Sequence, residues 1–305
     1  PFNDYGRFMR QRLGGRIQKI AIDAAMSCPN RDGTIAHGGC TFCLNEAFSP
    51  TYCRTAHSIT EQIEQGIAFH TSRGRHAEHY IAYLQSGTNT HANIDTLRKI
   101  YLDATSHPKI SGIIIGTRPD CISSEILDLL ADIATRKYVA VEYGIESCYD
   151  KTLARINRGH DFATAQRAVK MTAERGLDVG VHFILGLPGE TRQMMLDSCS
   201  LINALPIRSV KFHQLQIVKG TRMEQEYSEC PEDFERFALD EYLDFFVDML
   251  ERLRPTLSIE RFVGEVPPRF VNETPWGLIR NVELIRLLEQ RLESRQTWQG
   301  RLYQE

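Results

Sequence analysis

From about residue 17 to residue 218 the chain alternates, six times over, between short β-branched or apolar runs and longer stretches of helical period. Few folds accept that pattern, because a strand–helix repeat builds a parallel sheet through right-handed crossovers. The strands read as "IQKIAID" (17–23), "HYIAYLQ" (79–85), "ISGIIIG" (110–116), "YVAVEYGI" (138–145), "LDVGVHFILG" (177–186) and "SVKFHQLQIV" (209–218). Between them lie helical segments with their own punctuation. Ser58 and Glu61 form a capping box for "ITEQIEQGIAFHTSR", and Asp161 opens a helix that Gly176 closes. "IDTLRKIYLDA" and "SEILDLLADIATR" are two more, and another starts near Glu190. Six units, where a closed α/β barrel has eight, predict a barrel left partly open. In such barrels the chemistry sits on loops at the C-terminal ends of the strands.

The unusual motifs fall in those loops. "CPNRDGTIAHGGCTFC" follows the first strand, "SGTNT" the second, "GTRPDC" the third, "ES" the fourth and "GLPGE" the fifth. The first holds Cys28, Cys40 and Cys43, three thiols where a structural zinc site wants four ligands and a disulfide two. Thiolates select zinc or iron–sulfur clusters. A cubane cluster has four irons, so three protein thiolates leave one iron open. An open iron can chelate the amino and carboxylate groups of S-adenosylmethionine (SAM), and one electron then cleaves a carbon–sulfur bond to release a 5′-deoxyadenosyl radical. The protein's part is to position that cofactor.

Composition narrows the surroundings. With 305 residues, 42% of them hydrophobic, the chain can bury a large core without staples. Its 36 basic and 39 acidic side chains leave a formal charge of −3, which gives no global drive toward nucleic acid or an anionic membrane. No run of about 18 apolar residues occurs, so no transmembrane helix is expected. The opening "PFNDYGRFMRQRLGG" lacks an apolar h-region, so no secretory signal is expected and a reducing, cytoplasmic location is read. The expected division is a barrel core over 1–220 and a C-terminal extension over 221–305. Residues 224–251 carry eleven acidic side chains against Arg236 alone, with apolar residues at helical spacing. They read as an amphipathic helix with a solvated acidic face, or as an acidic docking surface. "SIERFVGEVPPRF" reads as a strand and a proline-closed turn, and "NVELIRLLEQRLES" as a final helix.

Cys28, Cys40 and Cys43, with Phe42 before the last, have the spacing C-x11-C-x2-C. Together with "CPNRDG", "GGCTFC", "GTRPD" and "HFILGLPGET", that spacing resembles the radical SAM superfamily. Within it, the chain is similar to the YhcC-like family, related to the elongator-type radical SAM proteins. The resemblance runs over roughly residues 5 to 265. It implies a partial (β/α)6, TIM-like barrel with a C-terminal helical extension, a 4Fe–4S cluster, SAM, and an external one-electron donor of flavodoxin or ferredoxin type. It leaves the substrate open, RNA or tRNA among the candidates. The competing reading is a zinc- or cluster-bearing binding module without turnover, using the three cysteines with His37 or Cys53.

The resemblance also places the cofactor contacts. The SAM amino group is expected at the end of the second strand, where Ser86, Gly87, Thr88 and Asn89 stand in for a Gly-Gly-Glu-like turn. Glu142, in parity with Gly144 and Glu146, points at the interior and suits ribose hydroxyls or the amino group. Arg158, in "NRGH", is the candidate clamp for the SAM carboxylate, ahead of Arg155. Gly186, opening "GLPGE", is expected near adenosine, and His182, Gln214 and Gln216 project from strands five and six. Arg118 and Asp120 contact substrate or pin their loop. Cys53 is read as a buried or loop thiol, and Cys121 as the thiol outside the triad most inclined to face the cavity. Arg7, Arg10, Arg12, Arg16 and Lys19 form a basic approach to strand one that could meet phosphates.

Overall fold

The structure, a computed structural model, describes residues 2–44, 50–55, 58–264, 266–273, 276–277 and 279–304, with backbone alone at 54 and 55. The six expected strands are β1 (Ile17–Ile22), β2 (His79–Leu84), β3 (Ile110–Thr117), β4 (Tyr138–Glu146), β5 (Asp178–Leu185) and β6 (Ser209–Gln214). A seventh, β7 (Ser258–Arg261), comes from the C-terminal segment. All are parallel, in the order of the sequence. The two edge strands approach closely enough for Lys19 of β1 to reach Glu260 of β7 at 2.8 Å. The sheet is therefore curled into a half-barrel, the partial TIM-like fold that the alternation predicts.

Helices α3 (Ile59–Thr71), α4 (Ile94–Ser106), α5 (Ser124–Ala134), α7 (Phe162–Ala173) and α8 (Arg192–Asn203) cover the outer face. Ser58 and Glu61 make the capping box, and Asp161 caps α7 through the Thr164 amide. Ile20, Ile22, Leu84, Ile113, Ile115, Val141 and Val181, all fully buried, pack outward against Leu97, Leu127, Leu130 and Val169 of those helices. Each such side chain contributes about 1.5–3 kcal/mol of burial. The alternate residues face inward. At the N-terminal end of the barrel Ile81, Tyr83, Ile114 and Ala140 form a small apolar cluster against Leu13 and Tyr138. Leu13 ends α1 (Tyr5–Leu13), which lies across that end: Asp4 bridges Ile259, and Arg12 lies 3.7 Å from Asp178, the first residue of β5.

Three expectations change here. Strand six stops at Gln214, because the next residues leave the sheet to bridge Val218 with Val271. The acidic stretch is two helices, α9 (Arg222–Glu229) and α10 (Leu239–Arg252), with a 3₁₀ turn at Pro231 between them. Proline removes the amide that an unbroken helix would need. The acidic face of α10 is partly solvated, as expected, with Asp240 84% exposed, and its carboxylates are also paired. Arg291 and Arg295 of α11 (Asn281–Ser294) and its end pair with Asp240, Asp244 and Asp248, and Arg301 pairs with Glu251. The α1 arginines lie at the end of the barrel opposite the cysteine loop. Glu265, in the proline turn, lies outside the described residues. No helix among the described residues is long and apolar enough to cross a membrane.

Candidate functional site

A cavity of about 980 Å³ fills the upper half-barrel. Cys28, Cys40, Phe42 and Cys43 line one end, and Lys19, Tyr83, Lys211 and Glu260 line the floor. The cysteine loop folds on itself before it meets the barrel. The amides of Arg31 and Asp32 donate to the Cys28 carbonyl, the Cys43 amide donates to the Cys40 carbonyl, and the Thr41 amide donates to Ile156 beyond β4. Gly87, at the end of β2, lies so close beneath this loop that a β-carbon would stand 2.2 Å from the Met26 carbonyl oxygen. Its φ of 72° is also left-handed, so two independent constraints demand glycine.

Cationic and amide groups gather around the thiols. Arg158, at 7% exposure, donates from Nη1 to Cys40 Sγ at 3.4 Å and from Nη2 to the Gly144 carbonyl. Asn30, fully buried, places Nδ2 3.6 Å from the same sulfur. Arg31 donates to the Cys43 carbonyl at 2.6 Å. Arg118 holds Asp120 with two prongs, at 2.9 and 2.7 Å, and donates to the Arg158 carbonyl. The Arg118–Asp120 pair thus pins its own loop.

The other cysteines sit apart. Burial pushes the Cys53 thiol up to about 11, and its Sγ donates to the Ala21 carbonyl. Cys121, half-buried beside Asp120, is raised to about 12, chiefly by burial, and does not line the cavity. Among the described residues no three His, Cys, Asp or Glu side chains converge tightly enough for a single metal ion. Neither His37 nor Cys53 joins the three cysteines in lining the cavity. A cubane spreads its thiolates over several irons and needs no such convergence.

The floor was not foreseen. Glu142 Oε1 takes Lys19 Nζ at 2.8 Å; Oε2 takes the Tyr83 hydroxyl at 2.8 Å and Lys211 Nζ at 3.0 Å, with His182 Nε2 at 2.9 Å. Glu260 shares both lysines. Burial alone would raise the Glu142 carboxyl, but Lys19 and Lys211 outweigh it and hold the group well below the usual carboxylate range. A lone lysine at an inward position of each of two apolar strands was the available sign. Glu142 thus lines the cavity with both oxygens already engaged by the floor.

The remaining expected contacts divide. Gly87, Thr88, His182 and Gln214 line the cavity. Asn89 does not: its Nδ2 donates to the Gly116 carbonyl and braces β2 against β3. Gly186 faces the C-terminal segment, where a β-carbon would meet the Glu235 carbonyl at 2.8 Å. The "GLPGE" turn anchors that segment, with the Gly189 amide donating to Asp233 and Glu190 accepting from Ser147. Arg155 ties the same region through Glu226 and Asp233. Beside the thiols, Asn30 Oδ1, Thr88 Oγ1, Arg118 Nη1 and Arg158 Nε are buried without a partner in the protein. Buried polar atoms are seldom left so. Three thiols, cations about them and unspent polar atoms at the cavity edge fit a cluster with an amino-acid ligand beside it.

Known families and proteins resemble this chain over most of its length. A family model described as "Radical SAM superfamily" matches residues 32–202, and one described as "Radical_SAM C-terminal domain" matches 207–294. The chain is 34% identical to the uncharacterized protein YtqA of Bacillus subtilis, over 97% of this chain and 91% of that one. It is 40% identical to protein YhcC of Escherichia coli, over 72% of this chain and 70% of that one. Among solved structures, the archaeal Methanocaldococcus infernus Elp3 with an N-terminal deletion superposes with a TM-score of 0.67 at 17% identity. That match covers 93% of this chain and 64% of that one.

Proposed function

The chain belongs to the radical SAM superfamily and is a SAM-cleaving enzyme with a 4Fe–4S cluster; on that premise we propose that Cys28, Cys40 and Cys43 hold the cluster and that the enzyme abstracts hydrogen from an organic substrate in the floor half of the cavity. The observation that carries the ligand assignment is the convergence of these three thiols, with Arg31, Arg118 and Arg158, on one end of a single cavity. When bound, the reduced cluster supplies one electron that cleaves SAM to methionine and a 5′-deoxyadenosyl radical.

The chain's own residues do the positioning. Gln85, Gly87 and Thr88 edge the cavity beside the cysteine loop, where hydroxyl and carbonyl oxygens can accept from the SAM ammonium. Phe42 walls the thiol end against water, and Gln214 faces the opposite wall. His182 presents an imidazole oriented by Glu142, on the side of the floor where substrate is bound. Substrate reaches this floor through the seam between β1 and β7, edged by Gln18, His70 and Pro267. The Cys43 and Arg31 side of the loop is the more exposed one. There an external one-electron donor of flavodoxin or ferredoxin type delivers its electron, and the reducing cytoplasm is the compartment in which eight free thiols persist.

The boundary is proposed near residue 220, with the C-terminal segment extending the sheet through β7, whose Glu260 lines the cavity floor. RNA is the substrate class suggested by the elongator-type likeness, although the α1 arginines lie at the wrong end of the barrel to guide it. The test is anaerobic reconstitution with iron and sulfide, then dithionite and SAM, with total tRNA added in a parallel arm. Formation of 5′-deoxyadenosine supports the reading, and a tRNA-dependent rise supports RNA. No 5′-deoxyadenosine from fully loaded protein would overturn it.

A further inference from the structure

Arg158 is oriented toward the cluster rather than toward the cofactor beside it. Its guanidinium lies close to Gly144, where a β-carbon would stand 2.8 Å from Nη2. Each terminal nitrogen already makes a hydrogen bond in the protein, Nη2 to the Gly144 carbonyl and Nη1 to Cys40 Sγ, with Glu146 3.5 Å from Nη2. Only Nε is unspent. The bond to Cys40 ties the guanidinium to a ligand sulfur, whatever its remaining N–H groups hold. On the same sulfur sits Asn30, whose Nδ2 also donates to the Asn157 carbonyl and is held in place by it. Two buried side chains thus aim N–H donors at one thiolate.

We propose that Arg158 and Asn30 set the reduction potential of the cluster through N–H···S hydrogen bonds to Cys40. The inference rests on the three-cysteine reading given above. Reduction places one electron from the external donor on the cluster, and no proton need move. The added negative charge is spread over iron and sulfur, so donors and a cation at a ligand sulfur stabilise the reduced state more than the oxidised one. Burial strengthens the effect, because little water screens the guanidinium. Arg158 is in this sense a tuning residue that acts through Cys40.

The experiment is an EPR-monitored redox titration of reconstituted, SAM-free protein. Arg158→Gln should lower the ratio of reduced to oxidised cluster at a fixed potential about tenfold, a shift of about 59 mV for one electron. Arg158→Lys, which keeps the charge, should shift less, and SAM affinity should stay within about twofold in both. Asn30→Ala should move the potential in the same direction. Potentials equal to wild type in the Arg158 variants would overturn the proposal, as would a large loss of SAM affinity with an unmoved potential. If Arg158→Gln takes up no iron, the Asn30→Ala titration decides, and an unchanged potential there overturns it. Failure of the wild-type chain to load a cluster would instead refute the ligand assignment.

Discussion

Replacing Glu142 with glutamine keeps the shape of the side chain and removes its charge from the barrel floor. In the native protein Lys19, Lys211, Glu142 and Glu260 balance one another, with Glu142 3% exposed and Lys211 6%. Glu142→Gln leaves two buried ammonium groups sharing one carboxylate. Breaking a buried pair from one side costs about 3–5 kcal/mol, since the remaining charge has no solvent to turn to. A chain of this length has an unfolding entropy of about 0.64 kcal/mol/K, so the melting temperature should fall by about 5–8 °C. The assay is far-UV circular dichroism of the cluster-free protein at pH 7 and fixed scan rate. Glu142→Gln combined with Lys211→Met restores charge balance and should recover at least half of the loss. The sign with pH follows from the depressed carboxyl. Its contribution is present above the unfolded value of about 4.3 and is lost as pH falls through the folded one. The gap between wild type and Glu142→Gln should therefore close in acid. A Glu142→Gln midpoint within 1 °C of wild type, or a double variant less stable than the single, would refute the reasoning.

Cys28→Ala, Cys40→Ala and Cys43→Ala should each abolish iron loading, while Cys53→Ala should leave the cluster absorption intact; iron and sulfide analysis decides. Gly87→Ala forces a left-handed residue, at about 1–2 kcal/mol, and a contact with the Met26 carbonyl, so iron per chain should fall although Gly87 touches no sulfur. His160, lowered to about 4 by burial and then by Arg158, stays neutral in the folded protein while the unfolded chain protonates near 6.5. Stability of the cluster-free protein should therefore decline from about pH 6.5 toward pH 4, and His160→Gln should flatten that slope in urea titrations.

The barrel was legible because its information is local. Period-two runs, capping residues and the glycine after α7 each speak within a few positions, and the loop motifs fell where parallel strands end. Parity along β4 brought Glu142 and Gly144 inside, as the alternation predicts. It could not show that Glu142 would be consumed by partners at positions 19, 83, 182 and 211, since no periodicity links residues so far apart. Asn89 and Gly186 failed for a related reason. Each belongs to a motif beside the cavity, but a one-residue turn of the backbone aims it at a neighbouring strand or at the C-terminal segment. The pairing of the α10 acids was not legible because the arginines that meet them lie some fifty residues on. Arg158 was placed in the right corner, but its bond to Cys40 was not legible, because sequence carries a guanidinium's location more readily than its orientation.

That three cysteines hold a cluster with one iron left for SAM is tested most directly by EPR and electron–nuclear double resonance of the reduced, fully loaded protein. SAM carrying ¹⁵N in its amino group and ¹⁷O in its carboxylate supplies the probe. The predicted result is a cluster signal whose g values move on adding SAM, with hyperfine coupling to both labels. A signal unchanged at saturating SAM, with no coupling to either label, would contradict it.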